Sequence, residues 1–510
     1  MHACLHVDEI VRLIACQLVE SQGRATAVAL ACCCRGFEDP VLDTLWETQH
    51  LLTPLLKTFP ENVWEGGEYM VSGQTPCVIS SLNCFIRKCF RRLPTTLELA
   101  LFQKYARRMR NFQDLGTLDG LSSEVLLVLQ RFNFTEPLLP NLKTLELWST
   151  TEQFAPFILL FVSPGTTHIN VTFQVYDLSK ALVASIITPF SARCPNLQHI
   201  GLHHLPRDPM ITAVVSELLL TTNRDTLRTF DVDSPLTEEA RQVAHKLPDL
   251  RELKVVTERG IPLPTLVLPS LTELTIEHDH DDAWLEMFRG ATLGRLESVC
   301  FISKSEPIGD LLGAFERVAL TASVQNALSI FSLNTPRSWN PNFSSLLSFT
   351  QLKNLNIQFP CDNGCSSRVN DDVIINLARA MPELETLLLG DVPCHRVLTG
   401  VTVKGFAVLA RHCPNLSTLC VHFQVASLSV LPATIGMAPT VEPTVLWRDC
   451  ALTSLIAGDI PIPEHSVLMV ALTLARIFPR IETILSYSAG WRKVENAIYL
   501  SRQIVDCSSK

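Results

Sequence analysis

One short pattern recurs along most of this chain and limits what it can fold into. In residues 194–202, a proline is followed at fixed distances by Leu197, Ile200 and Leu202. Ile200 and Leu202 alternate with Gly201, and this alternation places both side chains on one face of a short strand. One such face is too small to be stable alone, so each copy must stack on its neighbours.

The first position of the pattern, apolar in every copy but a degenerate one at Thr166, recurs at thirteen positions, which we call anchors. The anchors are Leu142, Thr166, Leu197, Leu227, Leu250, Leu271, Leu296, Leu328, Leu352, Leu384, Leu416, Leu452 and Ile481. Their mean spacing is about 28 residues, within the roughly 20–29 residues of a leucine-rich repeat. The pattern therefore predicts a chain built by stacking short repeats.

Apolar residues at helical spacing precede many of the predicted strands. Predicted helices cover residues 177–193, 208–222, 236–247, 308–322, 371–381, 403–412 and 465–478. Ser234 with Pro235 is predicted to start one helix, and Asp371 is predicted to cap another. Alternating helices and strands predict an α/β fold, a leucine-rich-repeat solenoid with parallel strands on the concave side and helices on the convex side.

This solenoid is predicted to span residues 113–486, followed by a capping helix and tail at 487–510. A longer loop is predicted at 430–450, where three prolines occur. Residues 51–112 are predicted to be a helical linker with a loop near 63–82.

Composition excludes several classes of protein. The chain has 510 residues, 47% hydrophobic and 18% charged, as expected of a folded chain. Its net charge of −9 and the lack of a long basic run argue against nucleic acid or an anionic membrane as the main partner. The apolar runs near 157–162 and 467–475 are too short to span a bilayer.

The 17 cysteines follow no disulfide spacing. This usage indicates a reducing compartment, with buried thiols acting as small hydrophobes. The start of the chain carries Asp8 and Glu9 and lacks the layout of a signal peptide. We therefore expect an intracellular protein, cytoplasmic or nuclear.

Residues 1–50 differ from the repeats. Apolar residues at helical spacing predict a first helix that ends at Gly23, a second over 24–34 and a third that opens at Pro40. Three helices in about 45 residues form a very small core, which usually needs a partner.

These residues resemble an F-box, in the order found in divergent F-box/leucine-rich-repeat proteins of the fungal type. The resemblance rests on Leu5, Glu9, Ile10, Ile14, Leu18, Leu30, Ala31, Cys32, Cys34, Arg35, Phe37, Pro40, Leu42, Asp43, Leu45 and Trp46. It continues through residues 55–60 and 105–110, and the repeats extend it over nearly the whole chain. The chain departs from the F-box pattern at His6, where a proline usually stands.

The resemblance implies a substrate-recognition subunit of a Skp–cullin–F-box ubiquitin ligase. The F-box would dock on the Skp-type adaptor, and through it a cullin, while the repeats hold a target protein. The residues implied in adaptor binding are Leu5, Ile10, Ile14, Leu18, Leu30, Pro40, Leu42 and Trp46. Such a subunit is not an enzyme and has no cofactor. The alternative is a non-ligase leucine-rich-repeat scaffold for protein–protein interaction, whose first 50 residues cap the solenoid.

The residues expected on the concave strands predict where the target binds. They are Glu146, Trp148, His199, His203, Asp231, Asp233, Lys254, Glu273 and Glu277, together with Glu252. Acids outnumber the single lysine among the central positions, so we expect a negative surface that selects a partner segment carrying lysine or arginine. The alternative is that these acids only keep an exposed sheet solvated.

The basic residues of the linker fall within 84–110 and have two interpretations. They form either a surface for an acidic partner or, as we favour, the solvated face of helices that join the F-box to the repeats.

Two clusters contain metal-ligand residue types, at 277–282 and at Cys361, Cys365, Cys394 and His395. Acids at a helix start explain the first cluster, and loop thiols explain the second, so we expect no metal site. The sequence contains no G-x-S-x-G, Walker A or H-E-x-x-H motif and thus names no catalytic residue.

Overall fold

The computed structural model describes most of the chain. The described residues are 7–21, 23–68, 86–114, 123–132, 137–174, 178–257, 264–278, 291, 293, 295–303, 312, 315–316, 327–334, 343–358, 369–390, 400–421, 423–429, 450–458, 460–486 and 488–508. The contacts divide the chain into two compact units, Met1–Ala244 and His245–Lys510. No helix among the described residues is long and apolar enough to cross a membrane.

Several sequence predictions fall outside the described residues. They concern Leu5, residues 69–82 of the predicted loop, most of the predicted helix 308–322, the acids at 279–282, the cluster at Cys361, Cys365, Cys394 and His395, and residues 430–449.

The first unit begins with three helices, α1 (Asp8–Glu20), α2 (Arg24–Cys33) and α3 (Arg35–Glu47). Their small shared core contains Val11, Ala15, Ala27, Ala31, Phe37 and Val41. The third helix begins before Pro40, which lies inside it, so the prediction that Pro40 opens this helix is wrong. The helix starts where the extended backbone of Cys34 ends.

A short strand, two helices and a β-hairpin between the helices follow. The bounds are β1 (Thr48–Gln49), α4 (Thr53–Leu56), β2 (Trp64–Glu68), β3 (Ile86–Phe90) and α5 (Thr96–Ala106). Strands β2 and β3 pair in antiparallel fashion, so the start of the loop predicted near 63–82 is a strand. The ring of Phe59 stacks on that of Phe102 with centroids 5.2 Å apart, which holds α5 in place.

The basic residues near α5 form ion pairs within the chain. Arg108 pairs with Asp39 and Asp43, and the ammonium of Lys104 lies 3.6 Å from the Glu38 carboxylate. These acids all lie on α3. Lys104 and Arg108 therefore hold α3 and the linker together, while Arg91, Arg107 and Arg110 are exposed, as expected of a solvated face.

The rest of the first unit is a parallel sheet with helices. The strands continue with β4 (Asn111–Asp114), β5 (Thr144–Thr150), β6 (His168–Phe173), β7 (His199–His203) and β8 (Thr229–Val232). The helices are α6 (Ser123–Arg131), α7 (Ile158–Phe161), α8 (Lys180–Ile187), α9 (Phe190–Arg193), α10 (Pro209–Thr221) and α11 (Glu238–Ala244). β1 pairs with β4, and each later strand of this unit pairs in parallel with the next one along the chain.

The second unit repeats this arrangement. Its strands are β9 (Glu252–Val256), β10 (Glu273–His278), β11 (Ser298–Ser303), β12 (Ile330–Asn334), β13 (Asn354–Gln358), β14 (Thr386–Leu389), β15 (Thr418–Cys420), β16 (Ser454–Gly458) and β17 (Thr483–Ser486). Its helices are α12 (Asp371–Ala380), α13 (Val403–His412), α14 (Val425–Leu428), α15 (Val467–Ile477) and α16 (Ala489–Ser508). Neighbours in chain order pair in parallel throughout. The predicted α/β fold with parallel strands is thus confirmed.

The anchors determine where the strands begin. Each of the strands β5 to β17 starts two residues after an anchor, and all the anchors are buried. The sequence analysis missed β1 and β4. Strand β4 follows the same rule, because the buried Met109 stands two residues before it. The sequence analysis missed this repeat because its anchor is a methionine and no proline precedes it.

Successive repeats are joined in the same way at the starts of β5 to β8 in the first unit and of β10 to β17 in the second. The N–H groups of Thr167 and His168 both donate to the carbonyl of Lys143, at 2.9 and 3.0 Å. The N–H groups of Lys353 and Asn354 do the same with the carbonyl of Ser329, at 2.8 and 2.9 Å. This shared acceptor sets the register of each strand against the one before it.

The predicted helices at 208–222, 236–247, 371–381, 403–412 and 465–478 are present with slightly different ends. The predicted starts are wrong in two cases. Helix α11 begins at Glu238, four residues after Ser234. The Ser234 hydroxyl donates to the carbonyl of Pro235 and does not cap the helix. The cap of α12 is Asn370, which accepts from the Val373 N–H.

Asp371 instead caps the helix of the next repeat. Its carboxylate accepts hydrogen bonds from the N–H groups of Thr402 and Gly405, at 2.8 and 3.1 Å, and from the Thr402 hydroxyl at 2.5 Å. The approach requires a glycine, since a Cβ on Gly405 would lie 2.6 Å from Asp371 Oδ1 and 2.5 Å from Val401 Cγ1. The carboxylate thus connects α12 to α13.

We predict that Leu387→Asp destabilises more than its own repeat. Leu387 is fully buried and pairs with Leu355 and Leu419 on the neighbouring strands. A buried carboxylate without a partner should cost at least about 3 kcal/mol. Hydrogen exchange should then accelerate in β13 and β15 as well as in β14. The control is Leu388→Asp, one residue on and only half-buried; an equal effect of both changes would contradict the assigned faces.

We predict that Asp371→Ala destabilises the chain by about 2 kcal/mol, because it removes charged hydrogen bonds to the start of the next helix. The matched control is Asp372→Ala, which loses the same favourable position in the first turn of α12 but is exposed. Thermal unfolding of both variants measures the difference. Equal melting temperatures would show that the Asp371 connection contributes nothing.

Candidate functional site

Alternate residues of each strand define an open face of the sheet. In β5, for example, Leu145 and Leu147 are buried, whereas Glu146 is half-buried and Trp148 is exposed. The predicted target-binding residues all occupy the positions that alternate with the buried leucines, as Glu146 and Trp148 do. Those of the first unit are Glu146, Trp148, His199, His203, Asp231 and Asp233, and those of the second unit are Lys254, Glu273 and Glu277.

A histidine and two aspartates meet on the open face of the first unit. The Nδ1 atom of His203, at the end of β7, lies 3.9 Å from a carboxylate oxygen of Asp231 and 3.9 Å from one of Asp233. The parallel register places them together, since Leu202 is opposite Val232. We call these three residues the His203 cluster.

The backbone beside His203 orients one of the carboxylates. His204 has a left-handed conformation with φ of 58°, and its N–H donates to Asp233 Oδ2 at 2.8 Å. The other carboxylate oxygen of Asp233 therefore faces His203. A left-handed histidine costs backbone energy, and this hydrogen bond is the observed compensation.

Gly201 makes room for this arrangement. A Cβ at this position would lie 2.9 Å from Asn170 Oδ1 and 3.3 Å from His203 Nε2. The side chains of Asn170 and His203 therefore both lie over Gly201. On the neighbouring strands the aligned positions carry side chains, namely Glu146, Asn170 and Asp231. Sequence reasoning did not assign Asn170 or Gly201 to the site. The glycine inside a strand was the available signal, because it often marks a close approach.

Two more histidines lie at strand starts nearby, His168 on β6 and His199 on β7. The rings of His168 and His199 are stacked, with centroids 5.8 Å apart and planes at 19°. Burial lowers the pKa of His168, and the charge of Arg228 lowers it further. His168 also shares a hydrogen bond of 2.8 Å with the Thr167 hydroxyl. The sequence analysis assigned His199 to the open face but not His168, because only His199 belongs to a clear copy of the repeat pattern.

The predicted acids of the second unit have different environments. Glu277 is only 5% exposed, and its carboxylate lies 3.7 Å from the ammonium of Lys254 on the neighbouring strand. These opposite charges offset each other, so they add little to a negative surface. Glu273 is exposed. Its pKa is raised by partial burial and by the carboxylates of Glu252 and Glu297.

The residues implied in adaptor binding have mixed exposure. Pro40 is buried, and Ile10, Leu18, Leu30, Leu42 and Trp46 are half-buried. Ile14 is 39% exposed, whereas Leu13 beside it is 69% exposed and Val28 on α2 is 51% exposed. The resemblance did not single out Leu13 or Val28, which carry the largest exposed apolar surfaces of these helices. Trp46 packs on Tyr105 with ring centroids 4.8 Å apart.

The described cysteines differ in exposure, with Cys16, Cys34 and Cys300 half-buried. Cys194, Cys413, Cys420 and Cys450 are buried, and burial raises the pKa of Cys194 and of Cys413 to about 12. These four behave as the small hydrophobes that the composition predicted. Cys32 and Cys33 are exposed at the end of α2, which differs from that expectation.

Comparison with known proteins does not assign the chain to a family. A scan against protein-family models finds no match, and a search of curated proteins finds none either. A proposal of function therefore depends on the residues and geometry described above.

We predict that Glu273→Gln leaves stability unchanged or raises it slightly near neutral pH. A raised pKa means that ionised Glu273 destabilises the folded state, and this contribution is complete above the raised pKa and vanishes below the ordinary glutamate value. The gain should stay below about 1 kcal/mol because the side chain is exposed.

The control is Glu385→Gln, which loses an attraction, since the Glu385 carboxylate lies 3.3 Å from the Lys353 ammonium. Chemical denaturation at neutral and at acidic pH measures both variants. A clear loss of stability in Glu273→Gln at neutral pH would contradict the repulsion between the three carboxylates.

Proposed function

We propose that this chain is an F-box/leucine-rich-repeat protein that acts as the substrate-recognition subunit of a Skp–cullin–F-box ubiquitin ligase. The observation that supports this proposal most is the position of α1 to α3, a three-helix segment with exposed apolar side chains that precedes a parallel strand–helix repeat. Ile14, Leu13 and Val28 offer this apolar surface to a partner. Their exposure is what a docking segment needs, because burying them on a partner would be favourable.

In this proposal the chain has no catalytic residue of its own. It binds the Skp-type adaptor, and through it a cullin, with α1 to α3, and it holds a target protein on the open faces of its repeats. Ubiquitin transfer is then promoted by proximity, because binding raises the effective concentration of target lysines. The site of action is the cytoplasm or the nucleus.

The open face of the first unit supports a target of defined chemistry. Its exposed Trp148 and the carboxylates of Asp231 and Asp233 suit a segment that carries lysine or arginine. A tryptophan face and carboxylates both attract such a cation. The second unit contributes the exposed Glu273, whereas Glu277 is buried against Lys254.

A second candidate function is a non-ligase scaffold for protein–protein interaction. The observation in its favour is that Glu38, Asp39 and Asp43 of α3 pair with Lys104 and Arg108. A segment held to the linker in this way also fits a cap for the repeats. The two candidates differ in whether the apolar side of α1 and α2 binds an adaptor.

We predict that Ile14→Asp weakens the capture of a Skp-type adaptor at least about 100-fold. Burying an unpaired carboxylate in an apolar interface costs several kcal/mol. Purified full-length chain and purified adaptor would be compared by calorimetry. Leu468→Asp is the control, because Leu468 is likewise an exposed aliphatic residue on a helix but lies in the second unit.

Circular dichroism should show the same melting temperature for Ile14→Asp and the unmodified chain, since Ile14 is not part of the small helical core. Unchanged affinity of Ile14→Asp for the adaptor would reject the assigned docking surface. No binding of the adaptor by the unmodified chain would reject the ligase proposal and leave the scaffold.

A further inference from the structure

The His203 cluster combines the ligand types of a divalent metal site. One imidazole nitrogen and two carboxylate oxygens lie within 4.8 Å of one another. Among the residues that the structure describes, it is the one group of three or more histidine, cysteine or acidic side chains with this spacing. All three side chains are half-buried, and Asp231 Oδ1 itself is hidden from solvent.

The spacing is close to what an ion requires. Donor atoms that bind zinc at about 2.0–2.2 Å in a tetrahedral arrangement lie about 3.4 Å apart. The distances from His203 Nδ1 to the two carboxylates are 3.9 Å, so each gap must close by about 0.5 Å. A small rotation of the Asp231 side chain, which is 44% exposed, closes the first gap, and a small turn of the His203 ring toward Asp233 closes the second.

The surroundings fix two of the three ligands. The N–H of His204 holds Asp233 Oδ2 and leaves Oδ1 toward His203. The His203 ring lies across Gly201, with Nε2 3.3 Å from the position that a Cβ of residue 201 would take. Hydrogen bonds and packing of this kind orient metal ligands in proteins and raise affinity.

We propose that His203, Asp231 and Asp233 bind a divalent first-row transition metal ion such as Zn²⁺ or Co²⁺. An imidazole beside two carboxylates suits such ions, whereas Mg²⁺ and Ca²⁺ prefer oxygen ligands alone. Three protein ligands leave a fourth position open to water or to a side chain from a binding partner. The proposal does not depend on adaptor binding, since the site lies on β7 and β8 and not on α1 to α3, but it uses Asp231 and Asp233 of the proposed target-binding face.

The test is a titration of the purified full-length chain, first treated with a chelator, with Co²⁺ followed by calorimetry and visible absorption. Thiolates also bind Co²⁺ but add a sulfur-to-metal charge-transfer band, which separates cysteine sites from a site of nitrogen and oxygen ligands. The unmodified chain should bind one ion without that band.

His203→Gln should lose this ion or bind it at least tenfold more weakly, and Asp231→Asn should behave in the same way. His199→Gln is the matched control, because His199 lies on the same strand and the same open face but outside the cluster. Melting temperatures measured without metal show whether the variants fold. Equal stoichiometry and affinity in the unmodified chain and His203→Gln, or Co²⁺ bound only by thiolates, would overturn the proposal.

Discussion

The carbonyl shared by two N–H groups, found at the starts of β5 to β8 and of β10 to β17, is the interaction on which the rest of the repeat depends. Two consecutive N–H groups donate to one carbonyl of the preceding repeat, as Thr167 and His168 do with Lys143. This bond sets the register, and the period of a strand is two, so a slip of one residue would turn every leucine outward. Buried anchors two residues earlier then give each repeat an apolar contact with its neighbours.

The open face takes its chemistry from the same register. His203 meets Asp231 because the strands that carry them are aligned at Leu202 and Val232. In the second unit the register brings Lys254 beside Glu277 and forms a pair that is largely hidden from solvent. The same alternating positions thus hold an imidazole beside two carboxylates in the first unit and a mostly buried ion pair in the second.

The first three helices have two distinct sides. The acids of α3 are engaged by Arg108 and Lys104, while Leu13, Ile14 and Val28 on α1 and α2 remain exposed. Ion pairs near the surface are individually weak, but Arg108 is only 12% exposed and contacts two carboxylates. The segment is therefore held to the linker on one side and presents apolar surface on the other.

The sequence by itself determined the class of fold and the place of nearly every repeat. Periodic leucines report burial directly, and each clear copy of the pattern preceded a strand by two residues. The sequence analysis missed β4, where Met109 replaces the leucine. It also misplaced the helix starts near Ser234 and Asp371, because a capping side chain can bind a group that is distant in sequence, as Asp371 does with Thr402.

Only the tertiary structure decided which of the exposed positions act together. Parity along a strand placed Glu277 and Asp231 each on the open face of its own unit, yet Glu277 is buried against Lys254 and Asp231 lies beside His203. Burial and charge pairing depend on the neighbouring strand, and its contribution is set by register and packing across some 25–30 residues of sequence. A pattern read along one strand contains no such information, which is why the His203 cluster and the role of Gly201 emerged from the folded chain.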